Sequence, residues 1–235
     1  VYRVLLVGNG AREHAVAKKI VEDNGILYSF MSRENPGIAD LSNEYVINDL
    51  NNFECLKNFA FLENIDYAFI GPEAPLAEGI VDYLEDKLHI PTCGPRKSVA
   101  KIETSKVFAR ELLKKHSITG NPNFFVCNNL SMLDTAIDKL GLEVAIKPDG
   151  LTGGKGVKVY GDHFQTKEEL MKYAEQILEK HSSFLIEEKV VGKEFSLQVF
   201  TDGNNLQIMP LVRDYKRAYD NEQGPNTGSM GSYSL

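Results

Sequence analysis

VLLVGNGAREHA, residues Val4 to Ala15, sets an aliphatic run directly before Gly8-Asn9-Gly10 and a polar helix start. Such a run suits a strand covered on both faces, and the glycines suit a tight turn into a helix. The turn opens like a dinucleotide-binding G-x-G-x-x-G, yet Glu13 stands where the third glycine belongs, flanked by Arg12 and His14. A cofactor fingerprint with one altered position and a phosphate turn for another ligand are both open, beside plain tight-turn geometry. Glu13 weighs against a dinucleotide, because its carboxylate and bulk fall where pyrophosphate and close strand packing need space. The acid that would hold a cofactor ribose has only Glu34 as a candidate, in a turn with Asn35-Pro36-Gly37. A mononucleotide-sized ligand fits better, its anion facing the amides that begin the helix.

Outward from this turn, strand-like and helix-like segments alternate over the first hundred residues. Strands are expected at Tyr2–Val7, Ile26–Met31, Glu44–Ile47, Asp66–Ile70 and Ile90–Cys93. Helices are expected at Ala11–Asp23, with apolar positions Ala11, Ala15, Ile20 and Val21, at Asn51–Asn64 and at Leu76–Leu88. The pattern implies an α/β, doubly wound parallel sheet, whose ligands bind where strand C-termini meet helix N-termini.

After Gly94-Pro95 the rhythm changes. A helix over Thr104–His116, N-capped by Thr104, precedes strands at Phe124–Cys127, Val144–Lys147 and Val157–Tyr160, with a helix at Ser131–Leu140. A helix at Lys167–His181 follows, then strands at Phe184–Lys189, Glu194–Thr201 and Leu206–Val212. Asp202-Gly203-Asn204-Asn205 marks a hairpin turn. This half reads as α+β with antiparallel pairing. Residues 1–100 are expected to form one domain and 101–235 a second, with a small glycine-loop subdomain over 119–190. Arg213–Leu235 reads as a long polar loop, and the second domain looks unfinished, as in a fragment.

Composition is that of a globular protein, 43% hydrophobic and 25% charged. The net charge of -7 argues against nucleic-acid or anionic-membrane partners, while leaving room for a local basic pocket. The three cysteines form no C-x-x-C and are expected to pack as small hydrophobes. No apolar run approaches a membrane span, and the chain opens on a strand rather than a signal peptide, so a cytoplasmic protein is expected. The five histidines show no metal spacing, and only His14 has a functional neighbourhood.

Lys147-Pro-Asp-Gly-Leu-Thr-Gly-Gly-Lys-Gly-Val157 is a second candidate phosphate cradle. It is not a Walker A loop, since Gly156 stands where Ser or Thr would meet magnesium and the flanking elements are two strands. A glycine hairpin with Lys147 at its base and Lys155 inside can fold over a triphosphate; a mobile surface hairpin would look the same. Leu185-Ile-Glu-Glu-Lys-Val-Val-Gly-Lys-Glu194 sets three acids between strands, where they could accept ribose hydroxyls or form a charged turn. Arg213-Asp-Tyr-Lys-Arg-Ala-Tyr219 and Gly224-Pro-Asn-Thr-Gly-Ser-Met-Gly231 combine cations with a glycine-rich segment. Such a segment suits a solvated loop, or an anionic substrate and a reactive acyl phosphate.

Taken in order, GNGAREHA, NPGIA, GPEAPLAEGIVD, ETSK, KPDGLTGGKGVKV, LIEEKVVGKEFS and DYKRAYDNEQGPNTGSMG resemble the glycinamide ribonucleotide synthetase family, along the whole chain and closest to its archaeal branch. The resemblance implies a pre-ATP-grasp domain followed by an ATP-grasp domain. It also implies ATP-dependent ligation of glycine to 5-phosphoribosylamine through glycyl phosphate, a step of purine biosynthesis. Gly8, Asn9, Gly10, Arg12, Glu13 and His14, with Gly71, Pro72 and Glu73, would then hold phosphoribosylamine. Lys106, Lys147, Gly153, Gly154, Lys155 and Gly156 would grip the ATP phosphates, and Glu187, Glu188, Val190 and Glu194 would read adenine and ribose. Asp214, Lys216, Arg217, Pro225, Asn226, Thr227 and Gly228 would line the acyl-transfer site. Two departures stand out: Tyr215 replaces a frequent histidine, and Ser229 replaces a glycine of GPNTGGMG. By the same resemblance, the carboxylate and asparagine that would bind Mg2+ or Mn2+ belong to an E-F-N-x-R-F-G-D-P-E segment expected beyond residue 235, so no metal ligand is expected within the chain. The 235-residue chain alone is expected to be inactive. A Rossmann-type NAD(P)-dependent oxidoreductase and a non-catalytic nucleotide-binding fragment are the rival expectations.

Overall fold

Leu5, Leu6 and Val7 are fully buried, and the strand that carries them lies in the middle of a sheet. The computed structural model describes residues 1–152, 156–221 and 223–234, which divide into two compact units, Val1–His116 and Ser117–Leu235. In the first, β1 (Arg3–Val7), β2 (Ile26–Met31), β3 (Glu44–Ile47), β4 (Tyr67–Ile70) and β5 (Thr92–Cys93) pair in parallel, in the order β3-β2-β1-β4-β5. Helices α1 (Ala11–Glu22), α2 (Pro36–Ala39), α3 (Phe53–Leu62), α4 (Glu73–Glu78) and α5 (Ile80–Leu88) lie between them in sequence. Strand alternation sends Leu5, Val7, Tyr28 and Phe30 toward Leu56, Phe59, Ile80 and Leu84 of α3 and α5. Leu6, Leu27 and Met31 face the other way, onto Ala17 of α1 and Ile38 of α2. Helices therefore cover both faces, as the doubly wound expectation requires. The order turns back at β1, so the C-terminal ends of β1 and β4 border the crevice where such sheets bind ligands.

Local corrections have physical causes. The buried stripe of α1 is Glu13 and Ala17, while Ala11, Ala15 and Val21 are exposed. The expected helix Leu76–Leu88 is interrupted by Gly79 at φ +91° and divides into α4 and α5. Thr104 does not cap a helix; it ends α6 (Lys97–Thr104), and the Ser105 side chain accepts from Phe108 N to start α7 (Lys106–Lys115). Cys93 is exposed on the edge strand β5 rather than packed, whereas Cys127 is buried and its thiol is pushed up to about 11 by that burial.

The second unit is built on a four-stranded antiparallel sheet, β6-β9-β7-β8, formed by β6 (Phe124–Cys127), β7 (Val144–Pro148), β8 (Lys158–Val159) and β9 (Phe184–Glu188). Helices α8 (Leu130–Leu140) and α9 (Lys167–Leu178) pack Leu133, Leu170 and Ile177 against Val144, Ile146, Phe184 and Ile186. A capping box between Thr166 and Glu169 starts α9. Strands β10 (Val199–Thr201) and β11 (Leu206–Ile208) form the expected hairpin. The Asp202 carboxylate in its turn accepts from the Asn205 side chain and from the amides of Asn204 and Asn205, which holds it at about 2.

Arg213–Leu235 was expected to be a loop, but β12 (Val212–Tyr219) and β13 (Gln223–Ser234) pair antiparallel. Register shifts between Tyr215 and Arg217, and again between Arg217 and Tyr219, break the period-two pattern that would have revealed the strands. Ser229 sits at φ +137°, where a side-chain residue carries strain of about 1–3 kcal/mol. Ser229→Gly relieves it, partly offset by about 0.4–1 kcal/mol from a freer unfolded chain. A melting midpoint about 2–4 °C higher is expected, and a lower midpoint would show the strain to be absent.

Candidate functional site

In the first unit the crevice is built around one buried acid. Glu13, on the first turn of α1, is 5% exposed, and its Oε2 accepts from Gly10 N at 2.6 Å. A methyl on Gly71 would overlap the same carboxylate, and one on Gly8 would lie 2.8 Å from Glu13 Cγ and from Pro72 Cδ. Gly71 N donates to Val7 O at 3.0 Å, tying the end of β4 to the end of β1. Glu13 thus fills the space that a dinucleotide turn keeps open for close helix packing, and the Gly10 amide is committed to it.

Asn9 is held from β2's side. Its Oδ1 accepts from Ser32 Oγ at 2.7 Å, and its carbonyl accepts from Asn35 Nδ2 at 3.0 Å. Asn35 also caps α2 through Gly37 N. A methyl on Gly37 would lie 2.5 Å from His14 Cε1, so the imidazole lies against the start of α2. Arg12, 66% exposed, meets Glu73 Oε1 at 3.3 Å. The structure therefore gathers Gly8, Asn9, Gly10, Arg12, Glu13, His14, Gly71, Pro72 and Glu73 at the ends of β1 and β4. Ser32 and Asn35 are additions; short polar residues just after a strand were the available signal.

In the second unit, Lys147 of β7 and Glu187 of β9 lie on the sheet face opposite the helices, because Val144, Ile146 and Ile186 take the inner positions. Lys147 Nζ donates to Glu187 Oε2 at 2.6 Å, and the Glu187 side chain is 4% exposed. Glu188 is drawn aside: its carboxylate accepts from Asn123 N at 3.0 Å and Nδ2 at 2.9 Å, which holds it below the usual carboxylate range. Gly156 is anchored by Tyr173, whose hydroxyl donates to its carbonyl at 2.9 Å while Lys158 Nζ sits 3.7 Å above the ring. Gly153, Gly154 and Lys155 lie outside the described residues. Val190 and Glu194 are exposed, in a stretch from 190 to 211 that is exposed throughout. Lys106 opens α7 in the first unit.

The β12–β13 hairpin places Asp214 and Lys216 two residues apart, with their charged groups 3.7 Å from each other. Arg217 is already engaged by Asp162 at 3.0 Å and by the Gly224 carbonyl at 2.8 Å. Thr227 Oγ1 donates to Lys216 O at 2.9 Å, Asn226 pairs across from Arg217, and Pro225 and Gly228 flank them on β13. Beside this hairpin lies an open hollow of about 440 Å³ lined by Tyr215, Arg217, Tyr219 and Met230. Among the described residues no group of three or more His, Cys, Asp and Glu is placed to hold a metal ion. No helix among them is long and apolar enough to cross a membrane.

The phosphoribosylglycinamide synthetase N domain matches residues 2–103, and the ATP-grasp (A) domain of the same family matches 104–235. A phosphoribosylamine–glycine ligase from Pyrococcus abyssi is 47% identical over 232 residues, covering 99% of this chain and 53% of the relative. The crystal structure of a phosphoribosylamine–glycine ligase from Thermotoga maritima superposes with a TM-score of 0.79 at 29% identity, over 98% of this chain and 55% of that one. N5-carboxyaminoimidazole synthetase from Staphylococcus aureus, solved with ADP, shares the fold at a TM-score of 0.75 and 18% identity, over 92% of this chain and 55% of that one. The chain spans about half the length of the curated relatives it matches. It belongs to the phosphoribosylglycinamide synthetase family, whose N domain and ATP-grasp domain it carries in order.

Proposed function

We propose that the protein ligates glycine to 5-phosphoribosylamine at the expense of ATP, giving glycinamide ribonucleotide, ADP and phosphate. The observation that carries this is the Lys147–Glu187 pair on the face of the antiparallel sheet opposite its helices, at the base of a glycine-rich hairpin, within an ATP-grasp family domain. The glycine carboxylate attacks the γ-phosphorus of ATP, the bond to the bridging oxygen breaks, and ADP leaves. The amine of phosphoribosylamine then attacks the acyl carbon, phosphate departs with the former carboxylate oxygen, and the nitrogen loses a proton as the amide forms. The protein's contribution to such steps is positioning and charge neutralisation.

In this assignment Lys147 and the loop to Gly156 neutralise the ATP phosphates. The segment from Glu187 to Val190, together with Glu194, meets adenine and ribose. A neighbour in fold is solved as a complex with ADP, which accords with a nucleotide ligand. The crevice of the first unit takes phosphoribosylamine, with Arg12 and His14 toward its phosphate. Asp214, Lys216, Arg217 and Pro225 to Gly228 border the acyl transfer. In this assignment Mg2+ or Mn2+ would shield charge on the ATP phosphates, with its ligands expected outside these 235 residues.

The test is amide formation from ATP, glycine and phosphoribosylamine by the full-length protein, read with ADP release. ATP binding without turnover in the full-length protein would favour a non-catalytic nucleotide-binding role. NAD(P) binding without ATP affinity would overturn the assignment altogether.

A further inference from the structure

Glu13 is the one charged side chain buried in the first unit among the described residues. Glycines surround it at positions 8, 10 and 71. Gly8, at φ +122°, needs to be glycine for its backbone alone. Gly10 and Gly71 do not: Gly10 is extended at φ -85° and ψ -177°, and Gly71 is absent from the left-handed region. What forbids a side chain at these two positions is Glu13 itself. A methyl on Gly10 would lie 2.7 Å from its Oε2, and one on Gly71 would overlap its carboxylate. A residue from the first turn of α1 therefore occupies the junction between two glycine turns that approach from adjacent strands. It is hydrogen-bonded to one and packed against the backbone of the other.

We propose that Glu13 is a positioning residue for the phosphoribosylamine site, a role that rests on the function assigned above. Its carboxylate joins the β1–α1 turn to the β4–α4 turn and fixes their separation. The spacing of Asn9, Arg12 and His14 relative to Pro72 and Glu73 depends on that joint, although Glu13 itself is too buried to be a main substrate contact.

Two measurements test this, and the first needs no enzymatic activity. In a thermal double-mutant cycle on this chain, Gly71→Ala lowers the midpoint by about 4–8 °C beside an intact Glu13, and by less than about half as much in a Glu13→Ala background. In calorimetry with ribose 5-phosphate as the probe, Glu13→Ala weakens binding about tenfold or more, since misplaced contacts are costly. Glu13→Gln retains an acceptor for Gly10 N and recovers affinity to within about threefold of wild type. A cycle without coupling, or unchanged ribose 5-phosphate affinity in Glu13→Ala, overturns the proposal. Failure of the full-length wild type to form the amide overturns the proposed function, while the cycle still reports whether the joint exists.

Discussion

Lys147→Ala in the full-length protein is expected to lower kcat/KM for ATP about 10²–10³-fold, as removal of a preorganised charge does, and to destabilise the second unit as well. Both effects have one origin. Strand alternation aims Lys147 at the face of the sheet opposite the helices, where its ammonium is 2.6 Å from the Glu187 carboxylate. Glu187 is buried, so removing the ammonium beside it weakens the compensation of its charge, at a cost of up to about 3 kcal/mol. Lys147 is 23% exposed and can turn toward solvent or a phosphate. Under the proposed function, ATP binding would exchange one anionic partner of the ammonium for another. Lys147→Met combined with Glu187→Gln separates the two losses: the melting midpoint recovers most of its fall, and ATP-dependent turnover does not. Turnover by Lys147→Ala within about threefold of wild type would remove Lys147 from the phosphate site, because a lost charge-assisted bond costs more than that.

The strand–turn–helix at Val4–Ala15 could be read from sequence because local signals agree there: an aliphatic run, turn glycines and a polar helix start. Strands β2, β3 and β6 end where their apolar runs end, at Met31, Ile47 and Cys127. Sequence pattern failed where a local rule was overridden. Glu13 is polar and falls outside the apolar pattern expected of α1, yet the packed turns draw it inward. Ser105, one polar residue between two helices, acts as the end of α6 and the cap of α7, and its neighbour Thr104 carries the same cap signal in sequence. The β12–β13 hairpin is rich in glycine and shifted in register, leaving no alternation to detect. Site contacts were legible as residue types but not as partners. Ser32 meets Asn9 only because β2 lies beside β1, and Lys147 meets Glu187 only because β7 lies beside β9.

Arg12→Ala is expected to raise KM for phosphoribosylamine about 10–100-fold while leaving KM for ATP within about twofold. The asymmetry follows from what Arg12 does in the folded chain. Its guanidinium is 66% exposed and touches Glu73 at 3.3 Å, an exposed pair worth about 0–1 kcal/mol, so its loss barely moves the melting midpoint. A ribose phosphate at the crevice would instead receive charge-assisted hydrogen bonds worth about 1.5–3 kcal/mol from the same group, which sets the size of the KM change. Arg12→Lys restores only part of it, because an ammonium supplies charge without the planar fork that fits a phosphate. Equal rises in KM for both substrates would make Arg12 a structural residue of the first unit. An unchanged KM for phosphoribosylamine would move the phosphate away from the start of α1, to the side of the crevice formed by His14 and α2.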